Sequence, residues 1–203
     1  MKRLGILISG RGSNFEAIAD QVAKRAIPAD IAVVISNRPN APGLDTARQR
    51  GLNAVCIPSQ GQDRLVYDRQ LVDELRRNRV DLVCLAGFMR LLSSEFVSAF
   101  PEAILNIHPS LLPAFPGLDA QHQAFEHGVK ITGCTVHFVD EHLDAGPIVY
   151  QSAVPVLHTD SVETLSARIL QQEHVIYSEA IRLVLSGRWR IEGRRVVLTT
   201  MNK

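Results

Sequence analysis

Short apolar runs alternate along this chain with segments whose apolar residues recur at helical spacing, three and four apart. RLGILI (3–8), ADIAVVISN (29–37), NAVCIP (53–58), VDLVCLAG (80–87) and AILNIH (103–108) read as five buried strands. Between them, SNFEAIADQVAKRA (13–26) carries Phe15, Ile18, Ala19, Val22 and Ala26 on one helical face. APGLDTARQRG (41–51) reads as a short helix stopped by Gly51, and 63–79 as a helix with Leu65, Leu71, Val72 and Leu75 on one side. Near-continuous apolar strands separated by helices predict an α/β fold with a mostly parallel sheet flanked by helices. Farther on the pattern changes. ITGCTVHFVD (131–140) and GPIVYQSAVPV (146–156) predict two longer strands joined by a turn, hence antiparallel. Residues 161–187 predict a long helix capped by Ser161 and ended by Gly187, and 188–199 a hairpin around Glu192-Gly193.

In a parallel sheet of this kind ligands bind beyond the carboxyl ends of the strands. Three such ends carry chemistry: SGRGSN after the first strand, AGFMR after the fourth, NIHPS after the fifth. The glycines of SGRGSN allow close approach of an anion, and the helix that follows offers free N–H groups. Gly12, Ser13 and Asn14 are therefore candidates for a phosphate. Phe15 stands where a dinucleotide fingerprint needs its third glycine, and the second strand ends in Ser36-Asn37 without a ribose-binding acid. A phosphate monoester fits better than a dinucleotide; a plain strand-to-helix turn is the alternative. Asn106 and His108, two apart in a strand, would project from one face. An amide and an imidazole there suit an oxygen that becomes negative during reaction. Pro109, Pro113 and Pro116 stiffen the loop beyond. Asp144, in DEHLDAGPI, is a carboxylate at a turn whose distance from His108 the sequence leaves open. His122, His127, His137 and His142 have no metal-ligand spacing and read as surface or structural residues.

The 203 residues suit one domain, and 46% hydrophobic content suffices for a core. A net charge of +1 gives no broad attraction to nucleic acid or membrane, which leaves small molecules as the expected partners. Cys56, Cys84 and Cys134 lie far apart, so neither a disulfide framework nor zinc is expected, and a reducing, cytoplasmic compartment is. The apolar run at the start is too short for a signal peptide, breaking at Gly10-Arg11-Gly12, and none approaches membrane-spanning length.

NIHPSLLPAFPG, GCTVHFVDEHLDAGPI, LAGFMRLLS and ISGRGSN, in this order over almost the whole chain, resemble the folate-dependent formyltransferases. The N-terminal SGRGSN narrows the resemblance to the phosphoribosylglycinamide formyltransferases. It implies a Rossmann-like formyltransferase domain over 1–203, with a phosphate-binding half (1–100) and a catalytic and folate-binding half (101–203). It implies formyl transfer from 10-formyltetrahydrofolate to the amine of phosphoribosylglycinamide, in purine synthesis, through a tetrahedral intermediate and without a metal. By the same resemblance Asn106 and His108 stabilise the oxygen of that intermediate, and Asp144 keeps His108 charged and relays protons through water. Gly12, Ser13, Asn14 and Glu173 would hold the glycinamide substrate. Arg64, Met89, Arg90, Leu91, Leu92, Asn106, Asp140 and Asp144 would line the folate site. An amine nucleophile needs no nucleophile from the enzyme, which agrees with the lack of a nucleophile elbow. Asp119 and Gln121, where some relatives have histidines, fall in a segment expected to be a mobile loop beside the site. Rival members would carry a further N-terminal regulatory or C-terminal RNA-contacting domain. A chain beginning at its first strand and ending after a hairpin is expected to hold neither. A non-catalytic phosphate-binding module is the rival of another class. The expected assembly is a monomer or a homodimer.

Overall fold

The computed structural model describes residues 1–199. The chain divides into two compact units, Met1–Asn106 and the part from Ile107 onward. Parallel strands with helices fill the first, and antiparallel strands dominate the second, as the pattern predicts.

The first unit holds β1 (Lys2–Ile8), β2 (Ala29–Ser36), β3 (Ala54–Cys56), β4 (Leu82–Leu85) and the start of β5 (Ile104–His108). Their order is β3-β2-β1-β4-β5, and every pairing is parallel. Leu4, Ile6, Val34, Cys84 and Leu105 are sealed from water, which is why these strands are apolar without alternation. Four helices belong here: α1 (Ser13–Ala23), α2 (Pro42–Gln49), α3 (Arg64–Arg77) and α4 (Ser94–Ala99). Helix α1 ends three residues before the periodicity suggests, because Arg25 turns into a left-handed conformation (φ 57°). Helix α3 is capped by Asp63, which accepts from Leu65 N (2.8 Å) and Val66 N (3.2 Å). Its buried face is Tyr67, Asp68, Leu71, Val72 and Leu75; Leu65 lies on the exposed side, contrary to expectation. A Cβ at Gly5 would lie 2.5 Å from Leu75, so the missing side chain lets α3 settle on β1.

The second unit holds the end of β5, α5 (Ala120–Glu126), β6 (Ile131–Phe138), β7 (Ile148–Pro155), α6 (Val162–Ser186), β8 (Trp189–Glu192) and β9 (Arg195–Leu198). β6 and β7 are antiparallel, β8 and β9 form the expected hairpin, and β9 lies beside β7. The 25 residues of α6 begin with a reciprocal capping box between Ser161 and Thr164 and end at left-handed Gly187. Helix α6 packs on β6 and β7. The ring of Trp189 lies 4.9 Å from that of Phe138, and its Nε1 donates to the Val184 carbonyl. The segment expected to be a loop around Asp119 and Gln121 is instead helical from Ala120, with Ala120 and Ala124, four apart, buried. Among the described residues no helix is long and apolar enough to cross a membrane.

Candidate active site

In the second unit the turn carboxylate meets the strand imidazole. Asp144 Oδ2 lies 3.4 Å from His108 Nδ1 and accepts a hydrogen bond from Gly117 N at 2.8 Å. Its other oxygen, Oδ1, lies 3.7 Å from His137 Nε2. His108 and His137 are buried, and the Asp144 side chain is 9% exposed. Burial pushes the Asp144 carboxyl up. The neighbouring His137 ring, the Gly117 N–H and the nearby His108 ring more than offset that and hold it below its ordinary value.

His108 Nε2 faces the Phe115 carbonyl at 2.8 Å. A carbonyl only accepts, so Nε2 carries the hydrogen. Nδ1 is turned to the Asp144 carboxylate. Phe115 and Asp144, the residues that present these acceptors, both adopt positive φ (52° and 49°) without being glycine. Such conformations cost about 1–3 kcal/mol each and tend to mark functional sites.

The loop beyond His108 is held by more than its prolines. Thr135 Oγ1, on β6, donates to the Ser110 carbonyl (2.7 Å) and accepts from Leu112 N (3.1 Å). Gln151 Nε2, on β7, donates to the Leu112 carbonyl (2.9 Å) and to Thr135 Oγ1 (3.0 Å). Ser110 Oγ donates to the Ala114 carbonyl, which gives this hydroxyl a structural use. Thr135 and Gln151 escaped sequence reasoning. Of the two expectations for His137, surface or structural, the structural one holds, with Nδ1 bonded to the Phe138 carbonyl and Nε2 beside Asp144. Its place three residues before the DEHLDAGPI segment was the available signal.

The other candidates are placed as follows. Asp140 accepts from His142 N at 2.8 Å and shapes the turn before Asp144. Glu173 is buried on α6, and its charge bears on buried Cys134. In the first unit, Gly12 caps α1 in a left-handed conformation (φ 77°), and no side chain caps that helix end. Ser13 and Asn14 open the helix, Asn14 buried. The loop is backed by α2, whose Gly43 N donates to the Gly10 carbonyl at 3.2 Å. A Cβ at Gly43 would lie 2.9 Å from the Arg11 carbonyl oxygen, so glycine is needed for that approach. Arg64 is exposed at the start of α3. Arg90 lies over the Tyr67 ring, 4.7 Å from its centroid. Met89 and Leu91 are each 58% exposed, and Leu92 is half-buried. Asn106 pairs with Leu85 of β4, and β5 continues unbroken to His108. Among the described residues no cluster of His, Cys, Asp and Glu side chains could hold a metal ion.

A family model described as Formyl transferase matches residues 2–181. The phosphoribosylglycinamide formyltransferase of Escherichia coli (strain K12) is 44% identical over 187 residues, 92% of this chain and 88% of that protein. The Bacillus subtilis (strain 168) protein of the same name is 39% identical, over 91% of this chain and 95% of that one. The crystal structure of glycinamide ribonucleotide transformylase 1 from Symbiobacterium toebii is 55% identical with a TM-score of 0.96, covering 98% of this chain and 95% of that one. The chain also matches the trifunctional purine biosynthetic protein adenosine-3 of Drosophila melanogaster at 47% identity, spanning 14% of its length, and that of Bos taurus at 45%, spanning 20%. With a family match over nearly nine-tenths of its length and these relatives, the chain belongs to the formyl transferase family.

Proposed function

We propose that this protein transfers the formyl group of 10-formyltetrahydrofolate to the amine of phosphoribosylglycinamide, in purine synthesis. The observation that carries this is the His108–Asp144 pair at 3.4 Å. The co-substrate supplies the formyl carbon that the amine attacks. His108 meets the oxygen that becomes negative. Its Nε2–H, which donates to the Phe115 carbonyl in this structure, exchanges that neutral acceptor for the developing oxyanion, a stronger one. The Asn106 amide donates to the same oxygen. Asp144 holds the imidazole in orientation and charge, and passes the amine proton through water towards the departing folate nitrogen.

Gly12, Ser13 and Asn14, at the uncapped start of α1, take the substrate phosphate. Glu173 holds the glycinamide amine end. Arg64, Met89, Arg90, Leu91 and Leu92, with Asn106, Asp140 and Asp144, line the folate site. No step needs a metal. The residues act as a single formyltransferase domain, as a monomer or homodimer, in the cytoplasm, where the free thiols of Cys56, Cys84 and Cys134 stay reduced.

Incubation with 10-formyltetrahydrofolate and phosphoribosylglycinamide should release tetrahydrofolate only when both are present. Asn106→Ala and His108→Ala should each lower kcat by about 100- to 1,000-fold. A second reading, hydrolysis of the formyl folate, draws on the formyltetrahydrofolate deformylase of Pseudomonas syringae, 28% identical with a TM-score of 0.92. Release without the amine acceptor would favour it; binding without turnover would leave a phosphate-binding module.

A further inference from the structure

At the carboxyl edge of the first unit, three buried polar side chains form a chain where apolar ones would cost less to bury. Ser9 Oγ donates to Asn37 Oδ1 at 2.7 Å, and Asn37 Nδ2 donates to Ser59 Oγ at 3.1 Å. The three residues are between 3% and 9% exposed, and they come from the ends of β1 and β2 and the loop after β3. One segment is tied to the first of these side chains and to the main chain of the last. Met89 N donates to Ser9 Oγ at 2.7 Å. Arg90 Nη1 donates to the Ser59 carbonyl at 3.3 Å. Two main-chain bonds reinforce the circuit: Ser9 N to the Gly87 carbonyl and Ser59 N to the Asn37 carbonyl, each 3.1 Å.

The segment so pinned is unusual in what it shows to water. Met89 and Leu91 expose more than half of their surface, while the main chain at Gly87 and Met89 is bonded to buried Ser9 and the Arg90 guanidinium to the Ser59 carbonyl. A fixed backbone with apolar side chains on display is a preorganised surface for a flat apolar ligand, with little ordering left to do on binding.

We infer that Asn37, braced by the Ser59 hydroxyl, is a positioning residue which orients the Ser9 hydroxyl beneath Met89 N and so holds the Met89–Leu92 segment in register for the folate ring system. Ser9 Oγ meets the segment directly at Met89 N, and Ser59 Oγ acts on it only through Asn37, so the three side chains form one unit. The inference rests on the formyltransferase reading for the identity of the ligand.

Two serine variants and their combination test it. Ser9→Ala and Ser59→Ala should each raise KM for 10-formyltetrahydrofolate about five- to tenfold, the scale of one lost buried hydrogen bond, with kcat and KM for phosphoribosylglycinamide held within about twofold. The double variant should match the larger single effect instead of multiplying the two, because both break the same circuit. Ser9→Thr, which keeps the hydroxyl, should restore the wild-type KM. An unchanged folate KM, a multiplicative double variant, or a parallel loss in kcat and both KM values would overturn the inference. If Ser9→Ala does not fold, Ser59→Ala against wild type decides the same question. Calorimetric titration with tetrahydrofolate separates the two claims. Wild type that binds tetrahydrofolate without turnover defeats the formyltransferase reading, while the Kd ratio between variant and wild type still judges the circuit.

Discussion

Asp144 gathers one backbone N–H and two imidazoles around a single carboxylate, and the balance of those donors against burial sets its behaviour in acid. Because the folded protein holds this carboxyl below its unfolded value, ionised Asp144 contributes its full stability above the ordinary carboxylate pKa of about 3.9. That contribution is lost as pH falls through the folded value. The stability advantage of wild type over Asp144→Asn should therefore be constant from about pH 5 to neutrality and shrink below about pH 4. Denaturant midpoints across that range measure it; an advantage that grows in acid would contradict the pairing. Residue type and spacing singled out Asn106 and His108, and the resemblance singled out Asp144; the structure adds the 3.4 Å approach of His108 and Asp144. Thr135 and Gln151 escaped that reading. Each acts through a partner distant along the chain, and strand alternation in β6 and β7 assigns them only to a face. Spacing alone could not give the distance between His108 and Asp144.

At the scale of elements, the close pairing of β6 and β7 depends on Gly133, where an added Cβ would sit 1.9 Å from the Ser152 carbonyl oxygen. Gly133→Ala should force these strands apart and destabilise the protein by about 1–3 kcal/mol, read from urea unfolding. Ser152→Ala, which leaves that carbonyl in place, should not rescue it. The long elements were readable from periodicity and caps: α6 begins and ends at Ser161 and Gly187, as those residue types imply. The short ones were not. Helix α4 is only six residues, and its signal is the Ser93 cap, whose Oγ accepts from Phe96 N. Helix α5 buries two alanines, so its face carries too little apolar contrast to stand out between loop residues. Leu65 was assigned to the wrong side of α3 because the buried stripe there runs through Tyr67 and Asp68.

For the whole molecule, the three thiols give a simple check on how the chain encloses its core. Cys84 and Cys134 are fully buried, and burial with the nearby Glu173 pushes the Cys134 thiol up to about 12; Cys56 is partly exposed. At pH 8 iodoacetamide should modify Cys56 quickly and the other two only after unfolding, with mass spectrometry locating the label. Rapid modification of Cys134 in the native protein would contradict the enclosure of β6. The α/β class, the parallel strands and the later antiparallel pair were all readable at this scale, because a strand covered on both faces writes itself as an uninterrupted apolar run. The division of the chain at Asn106 was not, because β5 runs through it without a break in pattern. That seam has a practical result. It falls inside β5, so a gene split at that point would divide one strand between two fragments and leave neither with the whole of it.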